Sequence, residues 1–323
     1  MITIADWQSA TVRSIDAAIA AEAARWRRAF HWDVAEAWQS IQPARASGAL
    51  PGFVALDAAG DLAGWTCFMP HHGTLQVAVL TAATPATTTA LVDAILGAPE
   101  MRAARACSIC VPDGPPLVAG TLVSRGFEVV PYAYMTLELD GVSRGESESA
   151  RASGAARDRS GAAAVRAFRA ADFPALVALL SRAYPDPCDV RAFAPLGSHQ
   201  EWADYASSLV TGPGCGKLVI DASRVLAGAA PDRLDAAVLA TDLGLGTGHI
   251  AQIAVDPDRQ GLGLGTELVR QSVDAFAERG FERVTLLVSA ANARARALYS
   301  RFGFRERGAF VVAVNRTPVL RER

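Results

Sequence analysis

The chain has a single lysine, Lys217, among its 31 Lys and Arg residues, and 33 Asp and Glu residues balance this charge. With a formal net charge of −2, it lacks the excess positive charge that proteins use to neutralise nucleic-acid phosphates. The one lysine does not stand in a Gly-Lys-Ser/Thr sequence, which excludes a P-loop. We therefore expect neither a nucleic-acid partner nor a P-loop nucleotide site.

Long apolar runs and a basic, apolar leader at the N-terminus are also missing, so we expect no membrane partner and a cytoplasmic protein. The five cysteines are an odd number and indicate free thiols in a reducing compartment. Cys107 and Cys110 are the only close pair. They lie in an apolar run without a second pair or a nearby histidine, which favours a buried strand over zinc or redox chemistry. We expect no metal.

A length of 323 residues, with 51% hydrophobic and 20% charged residues, is typical of a globular chain with two domains. Residues 141–163 mix Gly, Ser, Ala and charged residues without apolar periodicity, which indicates a linker. The sequence thus predicts a domain at 1–140, the linker at 141–163 and a second domain at 164–323. Both domains alternate helical and strand patterns, so the fold class is α/β with mixed strands.

The most informative stretch begins with a short apolar strand pattern that ends at Asp256-Pro257. Gly261, Gly263 and Gly265 follow, and then an amphipathic helix. Glycines between a strand and a helix let backbone N–H groups converge on one point at the positive end of the helix, which suits a phosphate. The dinucleotide-binding fingerprint does not fit, because Thr266 stands where its third glycine would be.

The spacing Gln260-x-x-Gly263-x-Gly265 resembles the Gln/Arg-x-x-Gly-x-Gly/Ala loop of the GNAT superfamily of acyl-CoA-dependent N-acyltransferases. The downstream residues are similar to that superfamily's second signature: Val288, Asn292, Ala295, Leu298, Tyr299, Gly303 and Phe304. The resemblance implies a mixed, mostly antiparallel sheet flanked by helices, and acetyl-CoA as co-substrate.

The two halves of the chain show an internal repeat. Gln76 to Val79 match Gln252 to Val255, and Leu122 to Arg125 match Leu298 to Arg301, both 176 positions apart. At that offset threonines replace the glycines at 263 and 265, and valine replaces Tyr299. Threonine does not readily adopt the backbone conformations of glycine. The chain therefore resembles a tandem-GNAT protein with two GNAT-like domains, of which the first is a degenerate copy.

By this resemblance the glycine loop donates N–H groups to the pyrophosphate, and the end of the strand pairs with the pantetheine arm, which a bulged or splayed strand would permit. Asn292 orients the pantetheine amide or caps the following helix. The implied cofactor-binding residues are Ile253, Ala254, Val255, Gln260, Gly261, Leu262, Gly263, Leu264, Gly265, Thr266 and Asn292.

Tyr299 corresponds to the tyrosine that often faces the departing sulfur in this superfamily, and core packing is its alternative role. His249 is the candidate base, at a position where histone-acetylating members keep a glutamate; a solvated loop end is the alternative. The walls of the acceptor site are expected to be acidic, or to carry ordinary surface charges, through Asp186, Asp189, Glu201, Asp204 and Asp242.

The sequence thus predicts an acetyl-CoA-dependent N-acetyltransferase that acts on a small-molecule amine by direct transfer in a ternary complex. The alternatives are a non-catalytic acyl-CoA-binding module and a peptide or protein N-acetyltransferase, because the fold does not fix the acceptor. The chain is expected to be a monomer or a homodimer.

Overall fold

The computed structural model describes residues 2–112, 117–139, 165–184, 193–212, 214–230 and 232–316. The predicted linker, 141–163, lies outside the described residues. None of the described helices is both long and apolar enough to cross a membrane.

The described part of the first half contains six strands and six α-helices. In chain order they are β1 (Thr3–Asp6), α1 (Val12–Phe30), α2 (Ala35–Trp38), α3 (Ile41–Ala46), β2 (Gly52–Leu56), β3 (Leu62–His71), β4 (Thr74–Ala82), α4 (Pro85–Gly97), α5 (Pro99–Ala103), β5 (Ala106–Pro112), α6 (Leu117–Ser124) and β6 (Glu128–Glu138).

The described part of the second half contains seven strands and four helices. These are β7 (Val165–Ala167), α7 (Phe173–Ala183), α8 (His199–Thr211), β8 (Lys217–Leu218), β9 (Arg224–Ala227), β10 (Leu234–Asp242), β11 (Thr247–Val255), α9 (Leu264–Glu278), β12 (Arg283–Ser289), α10 (Ala293–Arg301) and β13 (Arg305–Arg316).

The two halves repeat one order of elements, which agrees with the predicted duplication. In the first half β4 is followed by α4, α5, the parallel strand β5, α6 and β6. In the second half β11 is followed by α9, the parallel strand β12, α10 and β13. Most other strand pairs are antiparallel, so the mixed, largely antiparallel sheet with flanking helices is confirmed.

The sheets of the two halves are joined, because their last strands change places. The described strands form one sheet in the order β1-β2-β3-β4-β5-β13-β6-β12-β11-β10-β9-β7, with β8 paired to β10. Strand β6 of the first half pairs with β12 of the second, and β13 of the second half pairs with β5 of the first. The two exchanged strands also pair with each other. Sequence analysis predicted two GNAT-like domains and did not predict this exchange.

Strand β13 is apolar on both faces because both faces are covered. Phe310, Val312 and Val314 pack with α1 residues such as Phe30, whereas Val311 and Ala313 enter the core beneath α4 and α6. The same alternation separates Cys107, which is buried in that core, from Cys110, which lies on the opposite face of β5. The expected strand is thus confirmed, and its two thiols do not face each other.

We predict that the exchange can be trapped by a disulfide. Val312 of β13 lies directly opposite Cys110 of β5, and directly opposed residues in antiparallel strands are close enough for a disulfide. After Val312→Cys, oxidation and cleavage at a protease site placed within 141–163, the two halves should migrate as one species on non-reducing electrophoresis.

The matched control is Val311→Cys, because Val311 lies opposite Val111 rather than a cysteine. Separation of the oxidised Val312→Cys halves would contradict the exchanged arrangement.

Candidate active site

In the second part of β11, the edge that faces β12 has no strand paired to it. The two strands pair in parallel only from Thr247 with Arg283 to Ile250 with Leu286. Beyond that point β12 continues along β6, as far as Ser289 opposite Tyr132. The register of β11 with β10 also shifts after Ile250, so that Ala251 forms a bulge. Residues from Gln252 to Val255 therefore pair with one neighbouring strand instead of two.

Side chains reach the carbonyl groups on this open edge. The Tyr184 hydroxyl donates to the Ile253 carbonyl at 2.5 Å, and Gln252 Nε2 donates to the Tyr184 hydroxyl at 2.8 Å. The Tyr205 hydroxyl donates to Gln252 Oε1 at 2.7 Å. Gln260 Nε2 lies 3.5 Å from the Val255 carbonyl. An extended ligand with amide groups can bind to such an edge as an added strand does.

The glycine loop that follows leaves the start of α9 without a side-chain cap. Gly261 and Gly263 have φ values of 84° and 81°, and a Cβ at either would meet nothing within 4 Å. Gly263 is the N-cap residue and makes no side-chain cap hydrogen bond. The first N–H groups of α9 thus face open space at the positive end of the helix dipole, which is an anion site.

The matching helix of the first half is capped by its own residues. Thr84 accepts a hydrogen bond from the Thr87 N–H at 3.2 Å, and Pro85 stands in the first turn, where it offers no N–H. Thr87 and Thr88 are buried. In the first half threonines thus stand in place of the loop glycines, and the first N–H groups of α4 are no longer free. The start of α4 therefore does not offer an anion the N–H groups that the start of α9 offers.

Asp256 fixes the junction between β11 and the loop. It is buried, and its carboxylate accepts hydrogen bonds from Arg182 at 3.0 Å and from Arg233 at 2.9 Å. Burial alone would raise its pKa, but the hydrogen bond from Arg182 and the charges of both arginines hold the pKa below its usual value. The carboxylate is therefore ionised at neutral pH and holds the end of the strand in place.

The open edge and the loop face one large cavity of about 1130 Å³ whose walls come from both halves. The first half contributes mainly aromatic and apolar side chains, and the second half contributes β11, the glycine loop and α10. All the candidate site residues line the cavity except Ala254 and Leu262. Ala254 points into the core beside α7, and Leu262 is exposed in the loop.

His249 lies inside the sheet, which corrects the alternative of a solvated loop end. Its side chain is only 3% exposed, and its ring is 5.4 Å from that of Trp32 and 6.4 Å from that of Tyr134. Burial lowers its pKa to about 3, so the imidazole is neutral at pH 7. Nδ1 lies 2.9 Å from Thr285 Oγ1, and this hydroxyl donates to the Gly248 carbonyl. Nδ1 is then the donor and Nε2 the acceptor.

Tyr299 lies in α10 and is also buried, at 5% exposure. Its ring packs against Phe304 at 5.9 Å and it lines the cavity, so core packing and a role in the site coexist. Burial raises the pKa of Tyr299 to about 12. Asn292 caps α10, since its Oδ1 accepts a hydrogen bond from the Ala295 N–H at 3.0 Å, and it lines the cavity too.

The expected acidic walls are absent from the described part of the cavity. Glu201 forms a capping box with Ser198, Asp204 pairs with His71, and Asp242 accepts a hydrogen bond from the Gly244 N–H. Asp186 and Asp189 lie outside the described residues. The charged side chains that line the described cavity are those of Arg259, Arg294 and Arg301, so its charge is positive, which suits phosphates.

Aromatic side chains of both halves line the cavity and are not among the site residues predicted from the sequence. They are Trp26, Trp32, Trp38 and Tyr132 of the first half, and Tyr184 and Tyr205 of the second half. The tryptophans cluster on α1, on α2 and just after α1, and such a concentration is one signal that could have marked them. Gln252 belongs to the internal repeat, and a polar residue in an otherwise apolar strand is itself a signal that could have marked it.

We predict that burial of neutral His249 makes the fold sensitive to acid. Below its unfolded pKa of about 6.5 the unfolded chain binds a proton that the folded chain excludes, so stability falls as pH falls from about 6.5 towards 3. Between pH 7 and pH 4 this group should cost about 3 kcal/mol. His249→Phe should remove that part of the loss, measured by urea unfolding at several pH values.

The matched control is His199→Phe, at an exposed position of α8, which should leave the pH dependence unchanged. An equal acid sensitivity in His249→Phe and the wild type would contradict the burial of a neutral imidazole.

Comparison with known proteins shows what part of this chain is similar to. Residues 174–304 match the Acetyltransferase (GNAT) family. The chain is 50% identical over 58 residues to a mycothiol acetyltransferase from Beutenbergia cavernae, which is 18% of this chain and 20% of that protein. It is 42% identical over 71 residues to a [ribosomal protein bS18]-alanine N-acetyltransferase from Escherichia coli, which is 22% of this chain. The aligned part spans only about a fifth of the first relative and about half, 48%, of the second.

Solved structures share the fold over most of the chain. A GCN5-related N-acetyltransferase from Sphaerobacter thermophilus superposes with a TM-score of 0.56 at 16% identity, covering 82% of this chain and 80% of that one. A tandem GNAT protein from the clavulanic acid biosynthesis pathway gives a TM-score of 0.50 at 13% identity, covering 83% and 82%. Residues 174–304 thus match the GNAT acetyltransferase family, and the fold of the chain is similar to that of a tandem-GNAT protein.

Proposed function

We propose that this protein transfers the acetyl group of acetyl-CoA to the amine of a small molecule, by direct attack within a ternary complex. The observation that carries the proposal is the open edge of β11 next to the uncapped start of α9, both facing one cavity. The edge offers backbone groups to an extended amide-containing arm, and the helix start offers N–H groups to a diphosphate.

The cofactor would lie along the second half only. The pyrophosphate binds the N–H groups from Gly261 to Thr266, with Gln260 before them and Asn292 beyond. The pantetheine arm binds the open edge at Ile253 and Val255, while Ala254 pairs with β10. Arg294 and Arg301 are exposed at the cavity rim and give it positive charge near the cofactor's phosphates. No step of this assignment needs a metal.

In the transfer, the amine nitrogen attacks the thioester carbonyl carbon. A C–N bond forms, the C–S bond breaks, the nitrogen loses a proton and the thiolate gains one. His249 accepts a hydrogen bond from the amine at Nε2 and orients its lone pair. Full protonation of an imidazole with a pKa of about 3 at pH 7 costs roughly 5 kcal/mol. We therefore assign His249 a positioning role, with the proton leaving through water.

Tyr299 donates a hydrogen bond to the departing sulfur. With a pKa of about 12, complete transfer of its proton to a thiolate of pKa about 8.5 is uphill by roughly 5 kcal/mol. Its contribution is then to stabilise the developing negative charge on sulfur through a hydrogen bond from a buried hydroxyl group. A water molecule at the same place would supply part of this effect.

A small acceptor fits the cavity better than a protein. Aromatic side chains of the first half, among them Trp26, Trp32 and Trp38, line the cavity, and the Trp32 ring lies 5.4 Å from that of His249 on β11. Such an aromatic wall suits a compact acceptor with an apolar part. Acetylation of a protein N-terminus is the second candidate, since one relative is named for that activity. A non-catalytic acyl-CoA-binding module is the third, favoured by the weak acid and base.

We predict that Gly263→Val abolishes acetyl-CoA binding while the chain still folds. A β-branched residue at a φ of 81° is strained by roughly 1–2 kcal/mol, and its side chain fills the space in front of α9. Binding is measured by calorimetry and folding by circular dichroism.

Gly280→Val is the matched control, because Gly280 has a φ of 79° and equally open surroundings at the other end of α9. Unchanged affinity in Gly263→Val, or equal losses in both variants, would refute the phosphate site.

We predict that the wild-type protein releases free thiol from acetyl-CoA with some members of a panel of small amines, and not with peptides. Tyr299→Phe should lower kcat by roughly a hundredfold, at the lower end of the effect of removing one hydrogen-bond donor to a developing negative charge, with little change in KM for acetyl-CoA. A thiol assay over the panel measures both.

Release with peptides alone would favour the protein N-acetyltransferase. Binding of acetyl-CoA without release for any acceptor would favour the non-catalytic module. Undiminished turnover of Tyr299→Phe would remove its catalytic role.

A further inference from the structure

The hairpin between β3 and β4 presents two adjacent histidines at its tip. His71 pairs with Thr74, so the turn consists of His72 and Gly73 alone. Both have positive φ, 43° and 81°, as a two-residue hairpin turn of the primed type requires. Positive φ is uncommon outside glycine, and histidine is one of the residues that adopt it more often than others. The His72 ring lies against the His71 ring, with centroids 4.3 Å apart.

Both imidazoles point at one carboxylate oxygen of the second half. His71 Nε2 is 3.0 Å and His72 Nε2 is 3.6 Å from Asp204 Oδ2, on α8. The other oxygen, Oδ1, accepts a hydrogen bond from Gln200. Asp204 Oδ2 is buried, yet within the described residues it accepts no hydrogen bond of acceptable geometry. Three lone-pair donors thus converge on one point, with their ligand atoms within 4.8 Å of one another.

These distances match a metal coordination shell. Zinc binds imidazole nitrogen and carboxylate oxygen at about 2.0–2.2 Å, and ligands on a tetrahedron of that radius are roughly 3.4 Å apart. The two N···O distances, 3.0 and 3.6 Å, lie on either side of that value. The rings are half exposed, at 55% and 52% for their side chains, so a fourth position is open to water.

We propose that His71, His72 and Asp204 bind a divalent transition-metal cation of the zinc type. Two imidazoles and one carboxylate suit Zn²⁺, Ni²⁺ or Cu²⁺ and disfavour the oxygen-seeking Mg²⁺ and Ca²⁺. The cation joins the β3–β4 hairpin of the first half to α8 of the second. This site is separate from the candidate active site and does not depend on the proposed function.

A cation bound at this position would stabilise one wall of the cavity. Met69 on the same hairpin and Tyr205, the residue after Asp204, both line the cavity wall. The Tyr205 hydroxyl holds Gln252 on the open edge of β11. A cation that fixes α8 against the hairpin therefore fixes this wall, and it stabilises the folded chain over the unfolded one.

The test is calorimetric titration of zinc into the metal-free full-length chain, with thermal unfolding as a second readout. The wild type should bind one zinc per chain, and zinc should raise its Tm. His71→Ala, His72→Ala and Asp204→Asn should each weaken binding by at least about tenfold, the least that loss of even a supporting residue costs. They should also lose the zinc-dependent rise in Tm.

His199→Ala is the matched control, because His199 is an exposed histidine on the same helix as Asp204 and outside the cluster. It should bind zinc as the wild type does. Equal Tm values of all variants with a chelator present show that they fold. Zinc affinity in Asp204→Asn equal to that of the wild type, or no saturable zinc binding by the wild type, overturns the proposal and leaves only a histidine–carboxylate ion pair.

Discussion

Backbone N–H and C=O groups inside a protein must find partners, and the open edge of β11 meets that requirement only in part through side chains. Tyr184 reaches the Ile253 carbonyl, and Gln260 lies at the limit of hydrogen-bonding distance from that of Val255. The edge is open because β12 pairs with β11 only as far as Leu286. On its other side β12 pairs with β6, a strand of the first half, from Arg283 to Ser289. The exchanged strand β6 thus accompanies β12 past the point where the gap beside β11 begins, and an extended ligand can bind in that gap.

The two copies differ in whether the start of a helix has free N–H groups. Both halves contain a strand, a helix and a parallel strand in the same order, and in both the parallel pairing covers only a few residues. The difference lies at the helix start. Thr84 and Pro85 satisfy or remove the first N–H groups of α4, whereas Gly263 leaves those of α9 available. The degenerate copy nevertheless keeps a structural purpose, because it supplies β6 and the aromatic wall.

The features that sequence predicted are those encoded over short distances. The glycine loop and the N-cap Asn292 depend on neighbouring residues, and the repeat is a match between two such local patterns, so all three can be detected in one sequence. The exchange of β6 and β13 cannot be detected in this way, since each strand has the same apolar pattern whether it pairs within its own half or with the other half. The burial of His249 depends on Trp32 and Tyr134, which are distant in sequence. The cluster of His71, His72 and Asp204 likewise joins the two halves, so no pattern of neighbouring residues could have predicted it.

Burial of the candidate site weakens proton transfer by its side chains, but it favours the neutral form of an acceptor amine. Burial raises the pKa of Tyr299 to about 12 and lowers that of His249 to about 3, so both groups become poor at exchanging protons at neutral pH. The same low-dielectric surroundings disfavour the charged form of any amine that enters, and a neutral amine is the form that attacks a thioester. The aromatic wall would thus contribute to deprotonation of the acceptor through desolvation. Rate enhancement in such a site would come mainly from holding a neutral amine against the thioester, with hydrogen bonds rather than proton transfers stabilising the transition state.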